Sequence, residues 1–92
     1  MLKSLGLAFA AGKLVSGTDF VIDAIRQKKA KLVFLANDAS DNTKKKVRDK
    51  ASFYGVMIIE EFDTYSLSKE VGKKNIKAIA ITDQGFANMF KK

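Results

Sequence analysis

Residues 12–40, GKLVSGTDFVIDAIRQKKAKLVFLANDAS, contain the pattern that decides the fold. A short apolar strand at 14–15 is broken by a glycine turn at 16–18, and an amphipathic helix follows the turn. After a basic segment, residues 32–36 are continuously apolar, as expected for a strand that is covered on both faces. A strand, a glycine turn, a helix and a second strand in this order predict an α/β fold.

The glycine turn is predicted to be the centre of a binding surface. A helix that begins at Thr18 or Asp19 leaves its first backbone N–H groups without partners inside the helix. Such groups can bind an anion or the edge of a base. In the alternative interpretation, Ser16, Thr18 or Asp19 caps the helix, and the carboxylates of Asp19 and Asp23 only stabilise its positive end.

The rest of the chain alternates helices with apolar strands. Helices are expected over about residues 2–11 and 41–54. Three more are expected: one that begins at Thr18 or Asp19 and is closed by the basic segment 26–31, a short one marked by Leu67 and Val71, and a last one that starts within 82–85 and carries Phe90. Strands are expected over residues 13–15, 32–36, 56–59 and 76–81. Together they predict one domain over residues 1–92, a three-layer α/β/α sandwich around a central four-stranded mixed sheet.

Composition narrows the classes of function. The 92 residues include 17 Lys and Arg against 10 Asp and Glu, a net charge of +7 that favours a polyanionic partner. Because Cys and His are both absent, thiol and imidazole nucleophiles, disulfides and the usual structural zinc sites are excluded. We therefore expect no metal and no cofactor. No apolar run approaches the roughly 20 residues that cross a bilayer, so we expect no membrane association. With Cys absent, we expect a cytoplasmic location.

Two basic segments could bind phosphates. Lys28, Lys29 and Lys31 follow the second helix, where they also suit the negative end of its dipole. A second glycine turn, 72–75, places Lys73, Lys74 and Asn75 beside further backbone donors, which gives affinity for phosphates without sequence choice. Phe20, in the first turn of the second helix, either stacks on an unpaired base or packs against the first helix.

Asp38 is the best-placed candidate for catalysis because it directly follows a buried strand. It could be a phosphoacceptor or a metal ligand, but no second acidic cluster follows a comparable strand. The segment Asn37-Asp38-Ala39-Ser40 is also a common turn and helix cap, and we expect a capping role. Phosphate-binding loops of the Walker or dinucleotide type are missing. The chain is therefore predicted not to be an enzyme.

Residues 12–40, then DKASFYGV at 49–56 and LSKEVGKKNIKAIAITDQGFAN at 67–88, resemble the kink-turn RNA-binding ribosomal-protein superfamily, most closely its bacterial YlxQ-like branch. The likeness extends over about residues 5–90. It implies an α/β/α sandwich that binds RNA through two elements. These are the turn that opens the second helix and the loop before the last strand.

Carried over residue by residue, the resemblance implies two sets of RNA-binding residues. The first set is Gly17, Thr18, Asp19, Phe20 and Asp23, and the second is Gly72, Lys73, Lys74, Asn75 and Ile76. RNA-reading members of the family typically have Asn, then Glu or Gln, then Lys where this chain has Asp19, Phe20 and Asp23. An ionised Asp only accepts hydrogen bonds, whereas an amide also donates them.

Together these features predict a monomeric protein that binds structured RNA and is associated with the ribosome or another ribonucleoprotein. Three targets remain open: ribosomal RNA, a kink-turn that is bound either tightly or weakly, and a different structured RNA. The alternative is a protein-interaction module whose basic surface docks on an acidic translation or transcription factor.

Overall fold

The computed structural model describes residues 2–90, in which helices and strands alternate. The helices are α1 (Leu2–Ala10), α2 (Thr18–Arg26), α3 (Asp41–Tyr54), α4 (Thr64–Glu70) and α5 (Gln84–Asn88). The strands are β1 (Leu14–Ser16), β2 (Leu32–Leu35), β3 (Ile58–Ile59) and β4 (Ala78–Ile81). Residues 1, 91 and 92 of the predicted domain lie outside the described residues. None of the described helices is long and apolar enough to span a bilayer.

The strands form one mixed sheet in the order β1-β4-β2-β3. β4 runs antiparallel to both β1 and β2, while β3 runs parallel to β2. The four-stranded mixed sheet is therefore as predicted. β3 is shorter than the predicted strand 56–59 and only half-buried, because it lies at the sheet edge with one neighbouring strand. β4 is also shorter than the predicted strand 76–81.

Helices cover both faces of the sheet, which confirms the three-layer sandwich. Side chains alternate along β2, so Phe34 faces α1, α4 and α5, while Val33 faces α2 and α3. On the first face, Phe34 packs edge-on against Phe90 with ring centroids 4.9 Å apart. Fully burying a large apolar side chain stabilises a fold by about 1.5–3 kcal/mol. These two apolar layers hold the loops at the ends of the strands in place.

α2 differs from three other helices at its N-terminus. Side-chain oxygens of Ser40, Asp63 and Asp83 accept hydrogen bonds from the first turns of α3, α4 and α5. α2 instead follows Gly17, at φ 101°, and receives no side-chain cap. The predicted cap from Ser16, Thr18 or Asp19 is therefore wrong. The cap is absent because the backbone pairing of β1 with β4 continues to Gly17, whose N–H donates to the Ala78 carbonyl at 3.0 Å.

α2 also differs at its C-terminus. Glycines with left-handed backbone follow α1, α3 and α4, namely Gly12, Gly55 and Gly72, at φ 69°, 70° and 62°. The residue that takes this conformation after α2 is Lys28, at φ 61°. α2 ends at Arg26, so Lys28 lies in the turn that follows the helix, and its side chain is exposed.

Candidate nucleic-acid interface

One edge of the sheet brings together the two loops that the sequence singled out. Because β4 is antiparallel to β1, the end of β1 lies beside the start of β4, with Ser16 paired to Ile79. The turn after β1 and the loop before β4 are therefore neighbours in space. We call this surface the platform, and it consists of residues 16–20 and 72–75.

A side-chain hydrogen bond joins the two halves of the platform. Lys73 Nζ donates to Ser16 Oγ at 3.3 Å, although the residues are 57 positions apart in the chain. Lys73, Lys74 and Asn75 are exposed, as are Asp19 and Phe20. The structure thus places the predicted residues Gly17, Thr18, Asp19 and Phe20 next to Lys73, Lys74 and Asn75. Asp23, also predicted, is exposed one turn further along α2.

The N-terminus of α2 presents backbone donors on the platform. The first helical hydrogen bond runs from Val21 N–H to the Gly17 carbonyl, at 2.9 Å. The N–H groups of Thr18, Asp19 and Phe20 precede it, and no side chain caps them. Free N–H groups and the helix dipole together favour an anion at this position. The N-terminus of α2 therefore has both features that bind a phosphate, free backbone N–H groups and the positive end of the helix dipole.

Phe20 is exposed on the platform. Its side chain is 69% accessible, so the alternative in which it packs against α1 is wrong. The ring lies beside Gly17, and a Cβ atom at position 17 would be 3.5 Å from Phe20 Cδ2. Aromatic rings exposed next to backbone donors are suitable surfaces for stacking an unpaired base.

Ile76 is the exception among the predicted platform residues. Its side chain is 9% exposed and packs in the core, and its N–H donates to Ser68 Oγ at 2.8 Å. The Ile76 side chain therefore packs beneath the loop 72–75, and a base could contact it only if the loop moved. The preceding Asn75 has a left-handed backbone, at φ 57°, which turns the chain from the exposed loop into the core.

A depression of about 630 Å³ lies beside the loop 72–75, and its lining adds residues that the sequence analysis did not select to Lys73, Lys74 and Asn75. Tyr65, which is 74% exposed, and Lys69 lie on its wall one helical turn apart. Lys77 also lines the depression and donates from Nζ to Thr64 Oγ1 at 3.0 Å. The sequence analysis did not select Tyr65, although the spacing of Tyr65 and Lys69 on a helix that begins at Thr64 could have identified the pair.

Asp38 connects two loops at the same edge of the sheet. Asp38 Oδ1 accepts hydrogen bonds from Thr64 N–H at 2.9 Å and from Thr64 Oγ1 at 2.6 Å. These bonds, the side-chain one foremost, hold the pKa of Asp38 below its ordinary value of 3.8. The helix cap predicted in the segment 37–40 is Ser40, at α3, whereas α4 is capped by Asp63. The capping role expected of Asp38 itself is therefore wrong, because its carboxylate joins the loop after β2 to Thr64, the first residue of α4.

Lys28, Lys29 and Lys31 lie at the opposite edge of the sheet. Lys31 N–H donates to the Ile81 carbonyl at 2.7 Å, and Ile81 ends β4, whereas the platform adjoins its start. The nine residues of α2 also separate these lysines from the platform, by about 13 Å at 1.5 Å per residue. These three lysines therefore lie outside the platform, and their contact with RNA phosphates stays a prediction.

The chain belongs to the Ribosomal protein L7Ae/L30e/S12e/Gadd45 family, whose model matches residues 1–91. Similar proteins include RNA-binding protein YlxQ from Enterococcus faecium, 49% identical over 98% of this chain and 86% of that protein. RNA-binding protein YlxQ from Bacillus subtilis (strain 168) is 50% identical over 91% of this chain and 84% of that protein. The recognised YlxQ-like branch is confirmed.

Two solved structures share the architecture. A protein of unknown function from Bacillus halodurans C superposes with a TM-score of 0.90 at 33% identity, over 96% of this chain and 89% of that chain. The Giardia lamblia 15.5kD RNA binding protein superposes with a TM-score of 0.79 at 16% identity, over 95% and 75% of the two chains. The second likeness shows the shared fold alone.

Proposed function

We propose that this protein is a non-enzymatic RNA-binding protein that recognises structured RNA through the platform. The observation that carries the proposal is the N-terminus of α2, which has no side-chain cap and lies against Lys73 of the neighbouring loop. The family membership and the names of the two YlxQ relatives support RNA as the partner.

The backbone donors and lysines bind the phosphate chain in this proposal. A phosphate accepts hydrogen bonds from the free N–H groups at Thr18 and Asp19, which need no rearrangement because the turn is already formed. Lys73 and Lys74 neutralise neighbouring phosphates and release condensed counterions, so binding weakens as salt increases. These contacts fix the position of the RNA without reading its sequence.

Phe20 and Asp19 supply the contacts that depend on bases. The Phe20 ring stacks on an unpaired or splayed base, which a regular duplex does not offer. Asp19 accepts hydrogen bonds from exocyclic amino groups of adenine, cytosine or guanine and repels phosphates. The platform therefore selects RNA that is bent or locally unpaired, so that a base with a free amino group faces Asp19. A kink-turn and an irregular ribosomal RNA element both have these features.

Fluorescence anisotropy with three labelled RNAs tests the proposal. The probes are a kink-turn hairpin, the same hairpin with its bulge removed, and a single strand of equal length. We expect the kinked RNA to bind at least tenfold more tightly than the straight duplex. Equal affinity for all three RNAs would mean that the protein binds RNA by charge attraction alone. The absence of measurable binding at 100 mM salt would reject the proposed function.

Paired variants of equal charge separate the platform from general basicity. Lys73→Glu with Lys74→Glu changes the platform, while Lys45→Glu with Lys46→Glu changes two exposed lysines of α3 by the same charge. We expect the platform variant to lose at least tenfold more affinity for the kinked RNA than the α3 variant. Equal losses would move the interface away from the platform.

A further inference from the structure

The edge of the sheet opposite the platform has its own group of cations. Lys13 precedes β1 and Lys31 precedes β2, and both strands pair with β4 beside Ile81. Thr82 N–H donates to the Lys13 carbonyl at 2.9 Å, and Lys31 N–H donates to the Ile81 carbonyl at 2.7 Å. The turn after α2 adds two more lysines. We call this group the distal edge, and it consists of Lys13, Lys28, Lys29 and Lys31.

The backbone of the distal edge is held firmly while its side chains are exposed. Lys28 N–H donates to the Ile25 carbonyl at 3.0 Å, and Lys29 N–H donates to the Ala24 carbonyl at 2.9 Å. All four lysine side chains are exposed. The salt bridge that the structure describes within residues 2–90, Arg48 with Glu60, involves none of them. The charges of the distal edge are thus available to a polyanion at fixed backbone positions.

Lys28 has a left-handed backbone, at φ 61°, a conformation that Asn75 and four glycines also take within residues 2–90. Glycines in this conformation follow α1, α3 and α4, whereas a lysine takes it in the turn after α2. A side chain in this region strains the backbone, and such strain is concentrated at functional sites. Stability alone would favour glycine at this position.

We infer that the distal edge binds the phosphates of a second RNA segment, so that the protein bridges two parts of a folded RNA. The Cα trace extends 28 × 25 × 23 Å, and the two cationic surfaces lie at opposite ends of the strands. A stiff RNA helix that contacts the platform cannot bend around the sheet to reach the distal edge. The inference rests on the proposed function, because RNA is taken as the partner of the platform.

Native mass spectrometry of the full chain with two RNAs of different mass tests this inference. The probes are the kink-turn hairpin and a 12-base-pair RNA duplex, which offers phosphates but no unpaired base. We expect a complex of one protein with one hairpin and one duplex. The mass of the complex gives the number of protein chains in it, and a single chain distinguishes bridging by a monomer from bridging by a dimer.

Two variants of equal charge assign the second contact. Lys28→Gln with Lys31→Gln is expected to reduce the ternary complex at least fivefold while the hairpin complex changes less than twofold. Lys45→Gln with Lys46→Gln is the control and is expected to leave both complexes within twofold of the unmodified protein. A ternary complex that survives the first variant would overturn the inference.

The outcomes separate this inference from the proposed function. If the protein binds the hairpin but never the duplex as well, the distal edge has no RNA role and the proposed function stands. If it binds neither RNA, the proposed function fails. If vesicles containing anionic lipid bind the distal edge and displace the duplex, or an acidic peptide does so, the edge serves another partner and the inference is overturned.

Discussion

Lys73 Nζ lies 3.3 Å from Ser16 Oγ, and this hydrogen bond joins the loop before β4 to the turn that opens α2. Antiparallel pairing of β1 with β4 makes the contact possible, because it places the end of one strand beside the start of the other. The lysine charge is thereby held next to the uncapped N-terminus of α2. Both features attract anions, so a phosphate at this corner would be bound by groups from two distant parts of the chain.

Replacing Lys73 with Gln tests the cationic part of the platform. We expect RNA affinity to fall and the slope of log K against log salt to decrease by about 1, because one phosphate contact is lost. The fold should remain stable to within about 0.5 kcal/mol, since the site is exposed. Titrations at several salt concentrations give the slope. An unchanged slope, equal to that of Lys45→Gln, would remove Lys73 from the interface.

Replacing Phe20 with Ala tests the stacking surface. We expect RNA affinity to fall by about 1–3 kcal/mol, the range found for stacking a base on an aromatic ring. Phe53→Ala is the matched control, because Phe53 is 81% exposed and lies on α3, away from the platform. Affinity is measured by anisotropy and stability by urea unfolding. If both variants bind RNA equally well, Phe20 does not contact a base.

Replacing Asp38 with Asn tests the contact with Thr64. The two hydrogen bonds from Thr64 lower the pKa of Asp38, so its ionised form stabilises the folded state. This stabilisation is complete above the ordinary pKa of 3.8 and is lost as pH falls below it towards the lowered value. We expect the unmodified protein to lose more stability than Asp38→Asn between pH 6 and pH 3, measured by urea midpoints. Equal losses would mean that Asp38 makes no such contribution.

Replacing Lys28 with Gly tests the strain at the distal edge. Relief of the left-handed strain is partly offset by the greater freedom of glycine in the unfolded chain, so we expect about 0.5–1 kcal/mol more stability. Lys46→Gly, at an exposed position inside α3, is the contrasting variant and should cost about 1 kcal/mol. Denaturant unfolding of both variants gives the comparison. A loss of stability in Lys28→Gly would show that position 28 is not strained.

Local signals in the sequence predicted much of the fold. α3 has the predicted bounds, 41–54, because Ser40 caps its start and Gly55 takes the left-handed conformation at its end. Gly17 and Gly72 similarly marked the two halves of the platform, since a glycine turn is encoded by a few adjacent residues. The turn after β1 and the loop before β4 could therefore be selected before their proximity was known.

Features that depend on tertiary arrangement could not be predicted in the same way. Lys28 and Lys73 have the same charge, and only the antiparallel course of β4 places them at opposite edges of the sheet. Ile76 was selected as a loop residue, but its side chain fills the core beneath α4. Spacing along the chain contains none of this information.

The most direct test of the platform is ultraviolet crosslinking of the protein to RNA in cells, followed by mass spectrometry of the crosslinked peptides. We predict crosslinks within residues 17–23 and 73–75, with Phe20 the strongest because stacked aromatic rings crosslink efficiently. The recovered RNA sequences would also distinguish ribosomal RNA from kink-turn elements. Crosslinks confined to α3 or α5, or none above an unirradiated control, would contradict an RNA-binding platform at the start of α2.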